Sequence, residues 1–505
     1  MKKRRIYVLF SSCTVSIAGL VLGACGGGSS WSAPSTNVSP TGNALVAQYT
    51  ITAPRPNTSA WVEFGTDTHY GRQTSATTPT TGYGQSLSVL VAGMRSNTTY
   101  HLRAHVEWPF GGSWVDQDRT FTTGVLPKSL AVPGITVTRP NSNLTPSPGI
   151  ELLSLAAPAQ TSMLQTFATD LQGNVIWYYP LAALPIKPMQ NGHLIANLAT
   201  DLREIDLAGT TIRDVSVTQV NQSLQAGGYS FSITSFSHDV LTLDNGHWIG
   251  LATTSKDFTD LPGYPGTMSV VGDALVDIDP NNYVVWGWSA FDHLDVNRHL
   301  QGLPDWTHSN ALVLTPEGDI LLSMRHQSWI LKIDYSNGAG AGDILWRLGN
   351  DGDFALAQDD PNEWFYAQHY PNLLSTNGSQ MTLAIWDNGN LRVNSQMVSC
   401  GSSPSAPSCY SRATIFQLDE STRVATLLWD DTPGFYSWWG GSIGTLGNGD
   451  VEFDMTIPTN STSSQIMEVT QTDNPETVWQ FNLTGENAYR GYRVPSLYPG
   501  VLWNQ

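Results

Sequence analysis

From about residue 150 to the end of the chain one unit recurs. It is a strand-like run, a tight Gly-containing turn, an apolar run, a third run with a polar residue inside it, a second turn, and a fourth run that closes on Trp. The turns are Asn191-Gly192, Asn245-Gly246, Glu317-Gly318, Asn377-Gly378 and Asn448-Gly449. The closing runs are GNVIWYY (Trp177), NNYVVWGW (Trp286), GDILWRL (Trp346), VATLLWD (Trp429) and ETVWQF (Trp479). Taken together they describe about six units of roughly 40 to 65 residues. A four-stranded unit of that length cannot bury both of its faces alone, so copies must pack on one another, and the usual outcome is a ring of blades. β-Helix repeats are shorter, and stacked sandwiches lack a regular Trp closure. The expected fold is therefore all-β, with a six-bladed β-propeller over 150–505.

The N-terminal part obeys a different rhythm. Met1 to Ser30 has a basic start, an apolar stretch from Ile6 to Leu22 and a small-residue exit, the layout of a secretory signal over 1–24. LGAC resembles the lipobox of bacterial lipoproteins, which implies cleavage before Cys25 and acylation of its thiol. A Gly- and Ser-rich tether over 25–45 follows. Residues 46–125 carry short alternating strands punctuated by turn residues, the pattern of a β-sandwich. There MRSNTTYHLRAHV resembles the tyrosine-corner region of fibronectin type III domains, with Tyr100 as the corner residue. A Pro-rich linker over 126–149 leads into the repeats. The expected location is exported, on the periplasmic side, held to a bacterial membrane by lipid only, and a homodimer is compatible with such a body.

Of the cysteines, Cys13 leaves with the signal and Cys25 is lipidated, so Cys400 and Cys409 remain and form a local disulfide most simply in an oxidising compartment. Four of the 24 basic residues lie in the signal, against 42 acidic residues in the chain. That excess of negative charge argues against nucleic acid as a partner. An anionic ligand needs a local cluster of cations.

The histidines supply one. Counted back from the turn glycines, His238 lies eight residues before Gly246, His369 nine before Gly378 and His308 ten before Gly318. Three successive units would thus open their inner strand with histidine, and inner strands line the central channel. If Leu314 pairs with Asp319 across the TPEG turn, His308 faces Arg325 and Asn310 faces Ser323 on one face of the hairpin. His326 then points away, and His247, His293 and His299 fall outside the aligned position. Arg and imidazole or carboxamide donors suit oxyanions such as sulfate, phosphate and carboxylate, and imidazole is a nucleophile and general acid or base near neutral pH. A zinc site is the chemical rival because three His is a familiar ligand set. Against it stand the Arg beside the ligands and the lack of a carboxylate in the cluster. No cofactor is expected, and the residues leave open which histidine would be the nucleophile.

SHD (237–239), DWTHSN (305–310), SMRHQS (323–328), AQH (367–369), WDNG (386–389) and the terminal YRGYRVPSLYPG resemble bacterial aryl-sulfate sulfotransferases that use no nucleotide donor. The resemblance implies a histidine, here His369, that takes the sulfuryl group of an aryl sulfate as a covalent sulfohistidine and passes it to a phenol in a ping-pong cycle. It implies sulfuryl binding and charge stabilisation by His238, His308, Asn310 and Arg325, with His308 a candidate proton shuttle, and a short disulfide that suits Cys400 and Cys409. Partners are then a small-molecule aryl sulfate donor and a phenol acceptor. The alternatives are a non-catalytic ligand-binding propeller lipoprotein and a metal-dependent hydrolase built on the three His.

Overall fold

A computed structural model describes residues 33–52, 56–77, 85–109, 111–156, 163–357, 364–393, 398–401, 409–456 and 463–504. The signal and Cys25 lie outside the described residues. The N-terminal sandwich has two sheets, one of Thr36–Pro40, Ala47–Thr52 and Ser86–Val91, the other built on Ser59–Gly65 and Thr99–Trp108. Alternation of buried with half-buried positions along Ala47–Thr52 and most of Thr99–Trp108 packs one face of each sheet against the other. The Tyr100 hydroxyl accepts the Arg95 N–H at 2.9 Å. The expected tether contributes to this unit, because Thr36–Pro40 pairs with Ala47–Thr52.

Six sheets of four or five strands follow, each touching the next in a closed ring. Blade I is Ile150–Leu155, Thr166–Thr169 and Val175–Tyr179, with Ala488–Val494 from the far end of the chain as its innermost strand. Blade II runs over 186–216, blade III over 235–289 and blade IV over 309–348. Blade V is built on His369–Asn377, Gln380–Asp387, Arg412–Asp419 and Val424–Asp431. Blade VI runs from Ile443 to Thr484 and gains Gly134–Thr138 as an outer strand on Thr477–Thr484. That last strand falls in the stretch expected to be a linker, so 126–149 is partly blade.

The recurrent Trp has a physical task. Each closing indole donates its N–H to the outer turn of the next blade: Trp177 to Leu207 O (2.8 Å), Trp286 to Gly340 O (3.1 Å), Trp346 to Glu420 Oε1 (2.6 Å), Trp429 to Thr472 O (2.9 Å) and Trp479 to Leu171 O (2.9 Å). Blade II lacks the Trp, and Arg213 takes its place. Its guanidinium lies 3.7 Å above the Trp248 ring and donates to Gly246 O and Asn282 Oδ1 of blade III. The chain after the last strand turns back onto the sandwich, where the Tyr498 hydroxyl accepts the Ala92 N–H (2.7 Å) and the Trp503 indole donates to Gln73 O (2.9 Å).

Candidate active site

The inner strands of blades III, IV and V are each irregular where they reach the channel end. The pairing register shifts between Phe236 and Val240, between Ser309 and Ala311, and between His369 and Asn372. Such bulges add a residue to one strand and re-aim its side chains. His238 lies inside the first shift. His308 stands just before its strand at φ +47°, a left-handed conformation uncommon for a non-glycine residue, and His369 opens its own strand.

The irregularities bring the three histidines around one ring, Tyr489 on the innermost strand of blade I. Ring centroids lie 5.5 Å apart for His238 and Tyr489, 6.0 Å for His369 and Tyr489, and 4.9 Å for His238 and His308. Arg325 is buried at the edge of this group, donating to Trp438 O (3.0 Å) and to His326 Nε2 (2.6 Å). Arg490 is fully buried beneath it, donating to Asn310 O (2.8 Å) and His238 O (3.3 Å). It thereby ties blade I to blades III and IV.

Three expectations about the hairpin need correction. Leu314 pairs with Ile320 rather than Asp319, and the resulting register carries Ala311, not Asn310, opposite Ser323. Asn310 is the extra residue of the bulge, and one of its amide hydrogens is held by Gln368 O at 2.7 Å. His308 and Arg325 still meet, because the bulge restores the register there and Arg325 N–H reaches His308 O at 3.3 Å. His326 does not point away. Its ring stacks on His308 at 4.7 Å with 24° between planes. A carboxylate is also present, since Asp305 Oδ2 lies 2.5 Å from His308 Nδ1.

Hydrogen bonds assign the tautomers of two rings. Asn388 spends its Nδ2 hydrogens on Ser437 O and Gly440 O, so its Oδ1 accepts from His369 Nδ1 at 2.6 Å. Nε2 of His369 therefore carries the lone pair, facing the Gly440 N–H at 3.2 Å. Gly440 has φ +67°, and a Cβ there would strike the Thr456 side chain. His326 donates from Nδ1 to the Asp305 carbonyl (2.7 Å) and accepts from Arg325 at Nε2, so it too is neutral. Burial first, then the Arg325 charge, pushes His369 well below the usual imidazole range and His326 down to about 4. Burial and the neighbouring His308 likewise push His238 well below it.

Several buried donors of the group have no hydrogen-bond partner among the described residues: Arg325 Nε, Arg490 Nε, Tyr489 Oη and Trp439 Nε1. Unsatisfied buried polar atoms are rare, and donors gathered in this way suit an oxyanion. A metal fits less well. Asp305, His308 and His326 hold their ligand atoms within 4.8 Å of one another, but His326 already uses both ring nitrogens, and an incoming cation would have to displace the Arg325 guanidinium. A cavity of about 370 Å³ opens beside Arg325 and Trp438, walled by Leu300, Gln301, Asn390 and Leu391. A second of about 480 Å³ reaches His238 from the side of Leu155, Leu198 and Phe236. Cys400 and Cys409 are joined as a disulfide and pack on Tyr436 next to the first cavity.

Asp305, His326, Asn388, Tyr489 and Arg490 were not singled out from sequence spacing. All of them do fall in the DWTHSN, SMRHQS, WDNG and YRGYR motifs, which is the one signal that could have found them.

Fold and cluster together define an all-β ring with a buried polar site on the inner strands of its blades. The family model for arylsulfotransferase (ASST) matches residues 145–493. The chain belongs to that family and is a sulfotransferase enzyme acting on small-molecule donor and acceptor substrates. No curated protein matches it. Among solved structures it is similar to a Lactobacillus plantarum protein (9% identity, 69% of this chain and 99% of the other, TM-score 0.37). It is also similar to a Bacteroides caccae protein of unknown function (9%, 57% and 94%, TM-score 0.27) and to the Synechocystis apocarotenoid oxygenase (9%, 88% and 94%, TM-score 0.25). At these scores the likenesses carry no argument about function.

Proposed function

We propose that the protein moves a sulfuryl group from an aryl sulfate to a phenol through a covalent sulfohistidine on His369, without a nucleotide donor. The observation that carries this reading is the His369 tautomer: its Nδ1 proton is committed to Asn388, so the nucleophilic lone pair stays on Nε2. In the first half-reaction Nε2 attacks sulfur, the S–N bond forms as the aryl S–O bond breaks, and the departing oxygen takes a proton from His308. In the second, the acceptor phenol returns a proton to His308 as its oxygen attacks sulfur, the S–N bond breaks, and His369 is restored. Arg325, His238 and Asn310 hold the sulfuryl oxygens, a positioning and electrostatic task. The Gly440 N–H, only loosely engaged at 3.2 Å, is left beside the transferred group to donate to it. The cavity at Arg325 offers room for the aryl ring.

We place the protein outside the cytoplasm, tethered through Cys25. No helix among the described residues is long and apolar enough to cross a membrane.

With a chromogenic aryl sulfate, chromophore release is expected to depend on added phenol. Without acceptor, one sulfuryl group is expected on the His369 peptide by mass analysis, and His369→Ala is expected to abolish both. Acceptor-independent release, or loss of activity on chelation, would reject this mechanism in favour of hydrolysis or metal chemistry.

A further inference from the structure

We propose that Asp305 is the positioning residue that makes His308 the proton carrier for the phenol oxygen in both half-reactions. The inference rests on the sulfuryl-transfer reading above and adds to it a residue that reading does not use.

Four imidazoles meet at the channel end, and Asp305 is the carboxylate that touches one of them on a ring nitrogen, at 2.5 Å from His308 Nδ1. The other rings are committed elsewhere. His369 gives its Nδ1 proton to Asn388, His238 has Ser237 Oγ at 2.5 Å from Nδ1, and His326 is fixed as a neutral ring between the Asp305 carbonyl and Arg325. His326 is also the floor on which His308 stacks. With Nδ1–H held by the carboxylate, the nitrogen of His308 left without a partner among the described residues is Nε2, and the His238 ring lies 4.9 Å from that of His308. The charged and titratable groups around Asp305 and His308 are Arg325, Arg490, His238, His326, His369 and, behind the loop, Asp273. Of the two carboxylates, Asp273 is engaged by Thr307 and Ser309, and Asp305 is the one bonded to a His308 ring nitrogen and set to balance a proton there.

The loop bearing the pair is tied down on both sides. Val271 N–H donates to Pro304 O and Trp306 N–H donates back to Val271 O, at 2.8 and 2.9 Å. Asp273, fully buried, accepts the Thr307 hydroxyl and the Ser309 N–H at 2.6 Å each. Blade III thus clamps the residues on either side of His308 and holds it at φ +47°. A strained conformation so thoroughly supported is what a positioned reacting group needs.

The chemistry needs one such group and not two. In-line displacement at sulfur puts the leaving oxygen of the first step and the attacking oxygen of the second in the same apical position opposite His369. The proton given to the departing phenolate is recovered from the incoming phenol, so the cycle closes with His308 protonated as it began. Asp305 itself transfers nothing. It keeps Nδ1–H in place and offsets the charge while Nε2 carries the second proton.

The test measures the burst of phenol release on sulfurylation of His369 for aryl sulfates graded from nitrophenyl to methoxyphenyl, in wild type and Asp305→Asn. Asparagine keeps an acceptor for Nδ1–H and removes the charge. The expected result is a steeper dependence on leaving-group acidity: nitrophenyl sulfate slowed less than about tenfold and methoxyphenyl sulfate by about 10² to 10³. Asp305→Glu, which keeps the charge but shifts it by a methylene, is expected to steepen the dependence by a smaller amount, and it carries the test alone where the Asn variant does not fold. A uniform loss across donors, or an unchanged dependence in the folded variants, marks a merely structural residue and overturns the proposal. If wild type itself gives no burst and no His369 adduct, the underlying transfer reading fails, which is a separate and recognisable outcome.

Discussion

His326 shows how one side chain can matter without touching substrate. It accepts a proton only by giving up the Arg325 hydrogen bond in a buried site, so burial and that guanidinium keep it neutral down to about pH 4. Its folded value lies below the unfolded one of about 6.5, so the unfolded chain takes up the proton first as pH falls. The stability it contributes is therefore complete above about pH 6.5 and is lost progressively towards pH 4, about 2 kcal/mol of it by pH 5. His238 and His369 act in the same direction. Denaturant unfolding at pH 7.5 and pH 5 is expected to show a marked loss in wild type and a clearly smaller one in His326→Gln. At this scale the primary structure was a fair guide to residue types and a poor one to roles. His238, His308 and His369 were legible because they keep step with the turns, and Arg325 because the hairpin count sets it across from His308. Asp305 and His326 were not, since their parts depend on a stacked pair of rings and a loop pinned from another blade.

The elements are regular where they are anonymous and irregular where they bear the site. The strand register fails at His238, at Asn310 and after His369, and each failure is a bulge at the channel end. A simple alternating count across the TPEG turn placed Asn310 one residue out of position, because Leu314 pairs with Ile320 rather than Asp319 and the offset is recovered only at the bulge between Ala311 and Ser309. Nothing in a strand's composition announces a bulge of this kind. The Trp closures are the opposite case. They were visible as a repeat, and their hydrogen bonds into the following blade explain why the repeat keeps them. Trp177→Phe keeps the packing but leaves Leu207 O without its donor, at an expected cost of about 1 to 3 kcal/mol in denaturant unfolding. Arg213→Ala in blade II is expected to cost a similar amount, since it removes the same kind of inter-blade fastening together with the stacking on Trp248.

The whole molecule is closed by its last strand. Ala488–Val494 completes blade I, and the same seven residues bring Tyr489 and Arg490 to the channel end. Beyond it, Tyr498 and Trp503 fasten the sandwich to the ring. Ending the chain at Asn487 is expected to leave the inner edge of Ile150–Leu155 unpaired and give an aggregating, inactive protein, whereas ending it at Val494 should keep sulfuryl transfer and loosen the sandwich, read by faster limited proteolysis between the two units. The amino-acid order by itself determined the strand repeat, its Gly turns and Trp closures, the cysteine pair and the set of imidazole and guanidinium candidates, because alternation and turn chemistry act over a few residues. Only the tertiary structure decided that residues from 134 and from 488 finish blades begun hundreds of positions away, that Asp305 meets His308, and that His369 keeps its lone pair on Nε2. Those contacts arise from ring closure and from bulges answering to neighbouring blades, and no local rule of the chain encodes them.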